Sequence, residues 1–276
     1  MLMSKRVKFL GVAIILGILM WLSTWINIEG RLGVTMGIAL VSYILTAWVL
    51  FEDLKGWEWV TLMILPVLFT LGSGIFYNLL PPVIPRVFGL NFQIETGIFM
   101  SGVLRLFFSV LYVLGMYTIL LTENIFSVAS IRTIQLFRAA RSWSFIMQLV
   151  TATMYFVILF SLRLPFYYLF LGVGSVSGLL AFGGFWSIDL KTEHLDEVYK
   201  LAVITTWLMA VYGMVLGFWP VKPFMAGLAL TGCLYATLGI FEQRLLNKMS
   251  SSGQLEFVIF NLIVLMAAYF STSWRG

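Results

Sequence analysis

Apolar residues in this chain come in runs of about 20, each closed by a short polar cluster, and this spacing limits the fold more than any other feature. A helix rises about 1.5 Å per residue, so a run of that length crosses roughly 30 Å of hydrocarbon with its backbone hydrogen bonds satisfied internally. Nine such runs can be laid out, at residues 9–28, 32–51, 59–80, 97–121, 143–162, 165–187, 200–219, 224–246 and 255–274. The pattern predicts an all-α fold: a polytopic transmembrane helical bundle of about nine spans. Only short connections remain, so residues 1–276 are expected to form a single membrane-embedded domain.

Composition excludes the main soluble classes. The chain is 61% apolar and 11% charged, against about 45–50% and 25% in soluble domains. A soluble enzyme, a nucleic-acid-binding domain and a disordered protein are all ruled out. The net charge of +5 is scattered between apolar runs and forms no basic stripe, so no nucleic-acid partner is expected. The single cysteine, Cys233, lies in an apolar run and is read as a small packing residue. The single histidine, His194, leaves no basis for a His-rich metal site or a bis-histidine haem. No metal and no cofactor are therefore expected.

Lys and Arg set the expected orientation. Lys5, Arg6 and Lys8 precede the first run, and the segment Trp21 to Asn27 that ends it offers no small-x-small cleavage site, so this run is read as a retained span. With the N-terminus inside, eleven of the 17 Lys and Arg fall in inner segments, five in outer ones, and Arg105 within a span. The positive-inside rule then predicts a cytoplasmic N-terminus and an external C-terminus. Tryptophan agrees: only Trp207 is central to a span, while the others fall near span ends, where indole rings prefer to sit.

Few residues carry a chemical signal. Residues 122–142 place Ile125, Val128 and Phe137 at helical spacing and end in Arg138 and Arg141, which predicts an amphipathic interfacial helix with both arginines at anionic headgroups on the inner surface. The same arginines also suit a plain topology anchor. Asp189 to Lys200 is acidic but balanced by Lys191 and Lys200, and is read as a solvated connecting helix. Arg105 stands out, because a charge inside a span demands a partner. Glu95 and Glu29 are its expected partners, and Asn78 and Arg86 flank the stiff Pro81-Pro-Val-Ile-Pro85 connection; together the five suggest an external vestibule for an anionic group. The bland alternative is an Arg105 that is snorkelling or structurally paired.

Catalytic signatures are missing. Gly172-Val-Gly-Ser-Val-Ser-Gly178 superficially matches a serine-nucleophile turn, but its only histidine, His194, falls in a polar loop. Gln148 and Asn261 are explained by interhelical hydrogen bonds. Gly33-x-x-x-Gly37, Gly174-x-x-x-Gly178 and Gly213-x-x-x-Gly217 mark helix faces where backbones approach closely, within the chain or against a partner.

The stretch 122–130, TENIFSVAS, with Arg138-Ala-Ala-Arg141 resembles small uncharacterised bacterial multi-pass integral membrane proteins. That resemblance implies a bacterial plasma-membrane location and implies no activity. The residues themselves favour a non-catalytic membrane scaffold or complex subunit, with packing signals abundant and chemical ones scarce. One alternative is a transporter or permease for a small or lipid-like solute, resting on span count and Arg105. A second is a lipid-linked membrane transferase using Glu29 and Glu95 as external acids. Expected partners are membrane lipids, and other membrane proteins or a second copy through the Gly-x-x-x-Gly faces.

Overall fold

The structure, a computed structural model, describes residues 5–26, 28–51, 54, 56–83, 86–87, 90–91, 94–129, 135–188, 195–248 and 250–272. Among these residues each apolar run forms one helix. The helices are α1 (Lys5–Leu22), α2 (Ile28–Leu50), α3 (Glu58–Asn78), α4 (Ile94–Ala129), α5 (Phe137–Ser161), α6 (Phe166–Trp186), α7 (Leu195–Gly217), α8 (Pro223–Leu245) and α9 (Ser251–Ser271). The only other regular elements described are a 3-10 turn at Ser23–Trp25 and a two-residue antiparallel pairing of β1 (Arg86–Val87) with β2 (Leu90–Asn91).

Eight of the helices, α2 to α9, are long and apolar enough to cross a membrane. The ninth, α1, differs because Lys5, Arg6 and Lys8 fill its first turn. Its uncharged residues 9–22 rise only about 21 Å, short of the roughly 30 Å core. Eight crossings would leave both ends on one side, and nine would leave them on opposite sides.

The helices gather in two compact units: Met1–Leu54 with Pro66–Glu123, and Lys55–Leu65 with Asn124–Gly276. The division within α3 falls at Pro66, which has no N–H to give the helix ladder. The segment 122–142, expected to form an interfacial helix, falls partly on α4 and partly on α5 among the described residues. Residues 122–129 are the last turns of α4, residues 137–142 open α5, and residues 130–134 lie outside the described residues. The physical reason is visible in the sequence around Glu123: Ile119, Leu120 and Phe126 continue the buried face of α4 past the polar Thr122, Glu123 and Asn124. At 36 residues α4 is about 54 Å long, well beyond a bilayer core.

In the first unit, α1 meets α4 where Gly17 lets Val113 in; a Cβ at Gly17 would come 2.3 Å from Val113 Cγ2. Helix α3 packs on α4 through stacked rings, Phe69 on Tyr112 at 5.4 Å and Phe76 on Phe108 at 5.7 Å between centroids. The Thr70 hydroxyl donates to the Pro66 carbonyl at 2.8 Å and also meets the Tyr112 hydroxyl at 2.9 Å.

In the second unit, the two later Gly-x-x-x-Gly faces are used within the chain. Gly174 and Gly178 of α6 face Ala210 and Thr206 of α7, while Gly213 and Gly217 of α7 face Val173 and Leu169 of α6. Close backbone approach at small residues is how membrane helices gain packing contact without a hydrophobic drive. Helices α5 and α8 meet at Gly227 against Val157 and at a Thr153–Thr231 hydroxyl pair of 2.9 Å. Helix α9 leans on α8 through Phe257 over Gly239, and Ala268 is its one buried residue among those described.

Candidate functional site

Several polar residues of the first unit converge where α3 ends. Leu80 precedes Pro81, and the residue before a proline avoids helical geometry, so the helix stops at Asn78 and closes with tight turns from Leu79 and Leu80 back to Phe76 and Tyr77. A helix end leaves carbonyls without intrahelical donors. Helix α4 supplies donors to the two carbonyls just beyond that end. Ser101 Oγ donates to the Pro81 carbonyl at 2.7 Å, and Arg105 Nη2 donates to the Leu80 carbonyl at 3.2 Å. Ser101 and Arg105 are one turn apart and so share a helix face. One turn further on, Ser109 Oγ donates to the Arg105 carbonyl at 3.0 Å.

The Arg105 guanidinium also lies 5.6 Å from the Tyr77 ring centroid, within range of a cation–π contact. Tyr77 is buried, and its hydroxyl has Ser109 beside it without a hydrogen bond of good geometry. Helix α2 completes the cluster. Asn78 Nδ2 donates to Thr35 Oγ1 at 3.2 Å, and Gly74 makes room for Thr35. Arg31 turns back to donate from Nε to Ile26 and from Nη2 to Thr24, both carbonyls of the chain entering α2.

The expected site residues therefore separate into groups. Arg105 and Asn78 both belong to the α3 end, yet each binds a neighbour that sequence did not nominate. Glu95 is exposed near the start of α4, ten residues before Arg105 and about 15 Å along the axis. Arg105, whose expected partners are Glu95 and Glu29, donates to the Leu80 carbonyl, an acceptor that the exit from α3 brings within reach. Glu29 is the second residue of α2 and Arg86 the first of β1; their side chains lie outside the described residues. Asp189 to His194 also lie outside them.

The two headgroup arginines diverge. Arg138 is exposed at the start of α5, whereas Arg141 turns inward and donates to Glu242 of α8, forming an ion pair. A recess of about 20 Å³ beside this pair is lined by Gln148, Gly184 and Ser187, room for a single water. Gln148, expected to bond across helices, donates at 3.5 Å to Ser144 of its own helix.

Glu123 stands between Thr122 and Asn124, a polar cluster that composition places in a connection. It is 4% exposed inside α4. The apolar residues continuing at helical spacing on both sides were the signal that the helix did not stop there.

Chemically the α3 end holds two guanidinium groups, hydroxyls and an amide, arranged around backbone carbonyls. A family model described as a protein of unknown function matches residues 24–271. No curated protein and no solved structure matches the chain.

Proposed function

The chain belongs to that family, DUF5656, and since the family carries no assigned role we propose from the geometry that this protein is a non-catalytic membrane scaffold or complex subunit. One observation carries the reading: the charge that most suggested chemistry, Arg105, is engaged in closing the end of α3. Cations near a helix C-terminus are favoured by the helix dipole as well as by hydrogen bonding. Arg31 likewise donates to main-chain carbonyls, those of Thr24 and Ile26 in the chain entering α2. Glu95, exposed and about 15 Å along the helix from Arg105, does not support the transferase alternative.

In this reading the chain crosses a bacterial plasma membrane nine times, N-terminus inside and C-terminus outside. Arg138 sits at the inner headgroups. Gly33 and Gly37, which have open space where a Cβ would be, leave α2 free to meet another membrane helix.

The permease alternative draws on one observation, the buried Tyr77 hydroxyl beside two arginines. A single experiment separates the two readings. The chain is purified from native membranes in mild detergent, analysed by native mass spectrometry, and reconstituted alone into liposomes. A scaffold or subunit is expected to emerge as a stoichiometric assembly, and the isolated chain to move no solute. Solute flux that disappears in Arg105→Leu, with the melting temperature unchanged, would overturn it.

A further inference from the structure

Helices α6 and α7 of the second unit enclose a groove of about 440 Å³, within the roughly 300–1,000 Å³ of small-molecule sites. We propose that it seats one acyl chain of an ethanolamine phospholipid, with the lipid's primary amine held at the mouth by Asp196, Trp57 and Tyr199.

The groove is apolar along its length and charged at one end. Leu179 and Phe182 of α6 and Ala202 and Val203 of α7 wall it. Its floor is the contact of Gly178 with Thr206, where the absence of a side chain lets the two helices touch. The Thr206 hydroxyl donates to the Ala202 carbonyl of its own helix, so its proton is not offered to the groove. An apolar trough of this kind suits a hydrocarbon chain and nothing that needs hydrogen bonds.

The mouth has the opposite character. Asp196 lies in the first turn of α7, Tyr199 follows three residues later on the same face, and Trp57 comes from the chain just before α3. Both rings are more than half exposed. Among the described residues Asp196 has no ion pair or side-chain hydrogen bond, although Lys200 is one turn away. A carboxylate with two aromatic rings selects a cation, and Trp and Tyr favour the headgroup level. The carboxylate narrows the choice further. A primary ammonium donates three hydrogen bonds, while a quaternary amine donates none and a glycerol headgroup brings no positive charge.

Asp196 also has an ordinary role, since acidic residues favour the start of a helix. Such a role changes stability without regard to lipid, so the test reads lipid choice. The full chain in detergent is offered phosphatidylethanolamine, phosphatidylglycerol and phosphatidylcholine with identical acyl chains. Native mass spectrometry counts the lipid retained. The wild-type chain is expected to retain the ethanolamine lipid about tenfold over the other two, and Asp196→Asn to bring that ratio close to one. Val203→Trp, which fills the groove from an exposed position, is expected to lower retention of all three. If Asp196→Asn fails to fold, the Trp57→Leu/Tyr199→Leu double variant replaces it, with a preference at least threefold weaker expected. No preference in the wild type, an unchanged preference in the mouth variant, or unchanged retention in Val203→Trp would each overturn the proposal.

Discussion

Arg105 reaches back 25 positions to donate a hydrogen bond to the carbonyl of Leu80, so that a residue inside α4 holds the chain leaving α3. Ser101 does the same for Pro81 from the same face. The stiffness of the prolines alone does not fix this exit. Donors from the next helix hold it in place.

Arg105→Leu is expected to lower stability by about 1–3 kcal/mol, the range for a lost charge-assisted bond and the carbonyl left behind. Arg105→Lys should recover part of that, since an ammonium donates but lacks the planar fork. Ser101→Ala should cost about 1 kcal/mol. Thermal unfolding in detergent, followed by intrinsic tryptophan fluorescence, measures all three. An unchanged midpoint for Arg105→Leu would show that the bond contributes nothing.

The Gly-x-x-x-Gly faces should respond unequally to the same substitution. A Cβ at Gly178 would come 2.1 Å from Thr206 Oγ1, whereas Gly37 has open space. Gly178→Ala is expected to destabilise by about 1–3 kcal/mol through overpacking, and Gly178→Ala with Thr206→Ala to recover much of the loss. Gly37→Ala should be neutral or slightly stabilising, because alanine favours helix. Equal melting temperatures for Gly178→Ala and Gly37→Ala would contradict the α6–α7 contact.

Arg141 and Glu242 are each partly exposed, with side chains 22% and 27% accessible. Solvent screens such a pair, so a double-mutant cycle with Arg141→Gln and Glu242→Gln is expected to give a coupling near 1 kcal/mol. The coupling should weaken as salt is raised. A coupling indistinguishable from zero at low salt would remove the pair from the forces joining α5 to α8.

The proposed topology turns on α1. In a Cys233→Ser background, a cysteine added at the C-terminus is expected to react with an impermeant maleimide from outside intact cells, and one at the N-terminus only after permeabilisation. Identical behaviour of the two ends would mean that α1 does not cross and that the span count is even.

The helices were legible because a run of about 20 apolar residues has one way to satisfy its backbone in lipid. Their ends were less so. Thr122, Glu123 and Asn124 read as a loop by composition, yet the chain stays helical and buries the carboxyl, since Ile119, Leu120 and Phe126 keep the packing face continuous. Glycine spacing marked where helices approach, but nothing local says that Gly178 meets Thr206 or Gly227 meets Val157; those choices are tertiary. Arg105 was identified as a charge in need of a partner. Charge complementarity points to Glu95 and Glu29, whereas the acceptor at Leu80 is a main-chain carbonyl, which carries no signature in the sequence.

The closure of α3 by α4 also bears on how the chain is made. The carbonyls of residues 80 and 81 leave the ribosome first, and the side chains that bind them follow 20 to 25 residues later. At about 5–20 residues per second, the acceptors exist for about one to five seconds without their donors. Through that interval water or headgroups must serve them. The exit from α3 is therefore fixed only once the first turns of α4 have been made.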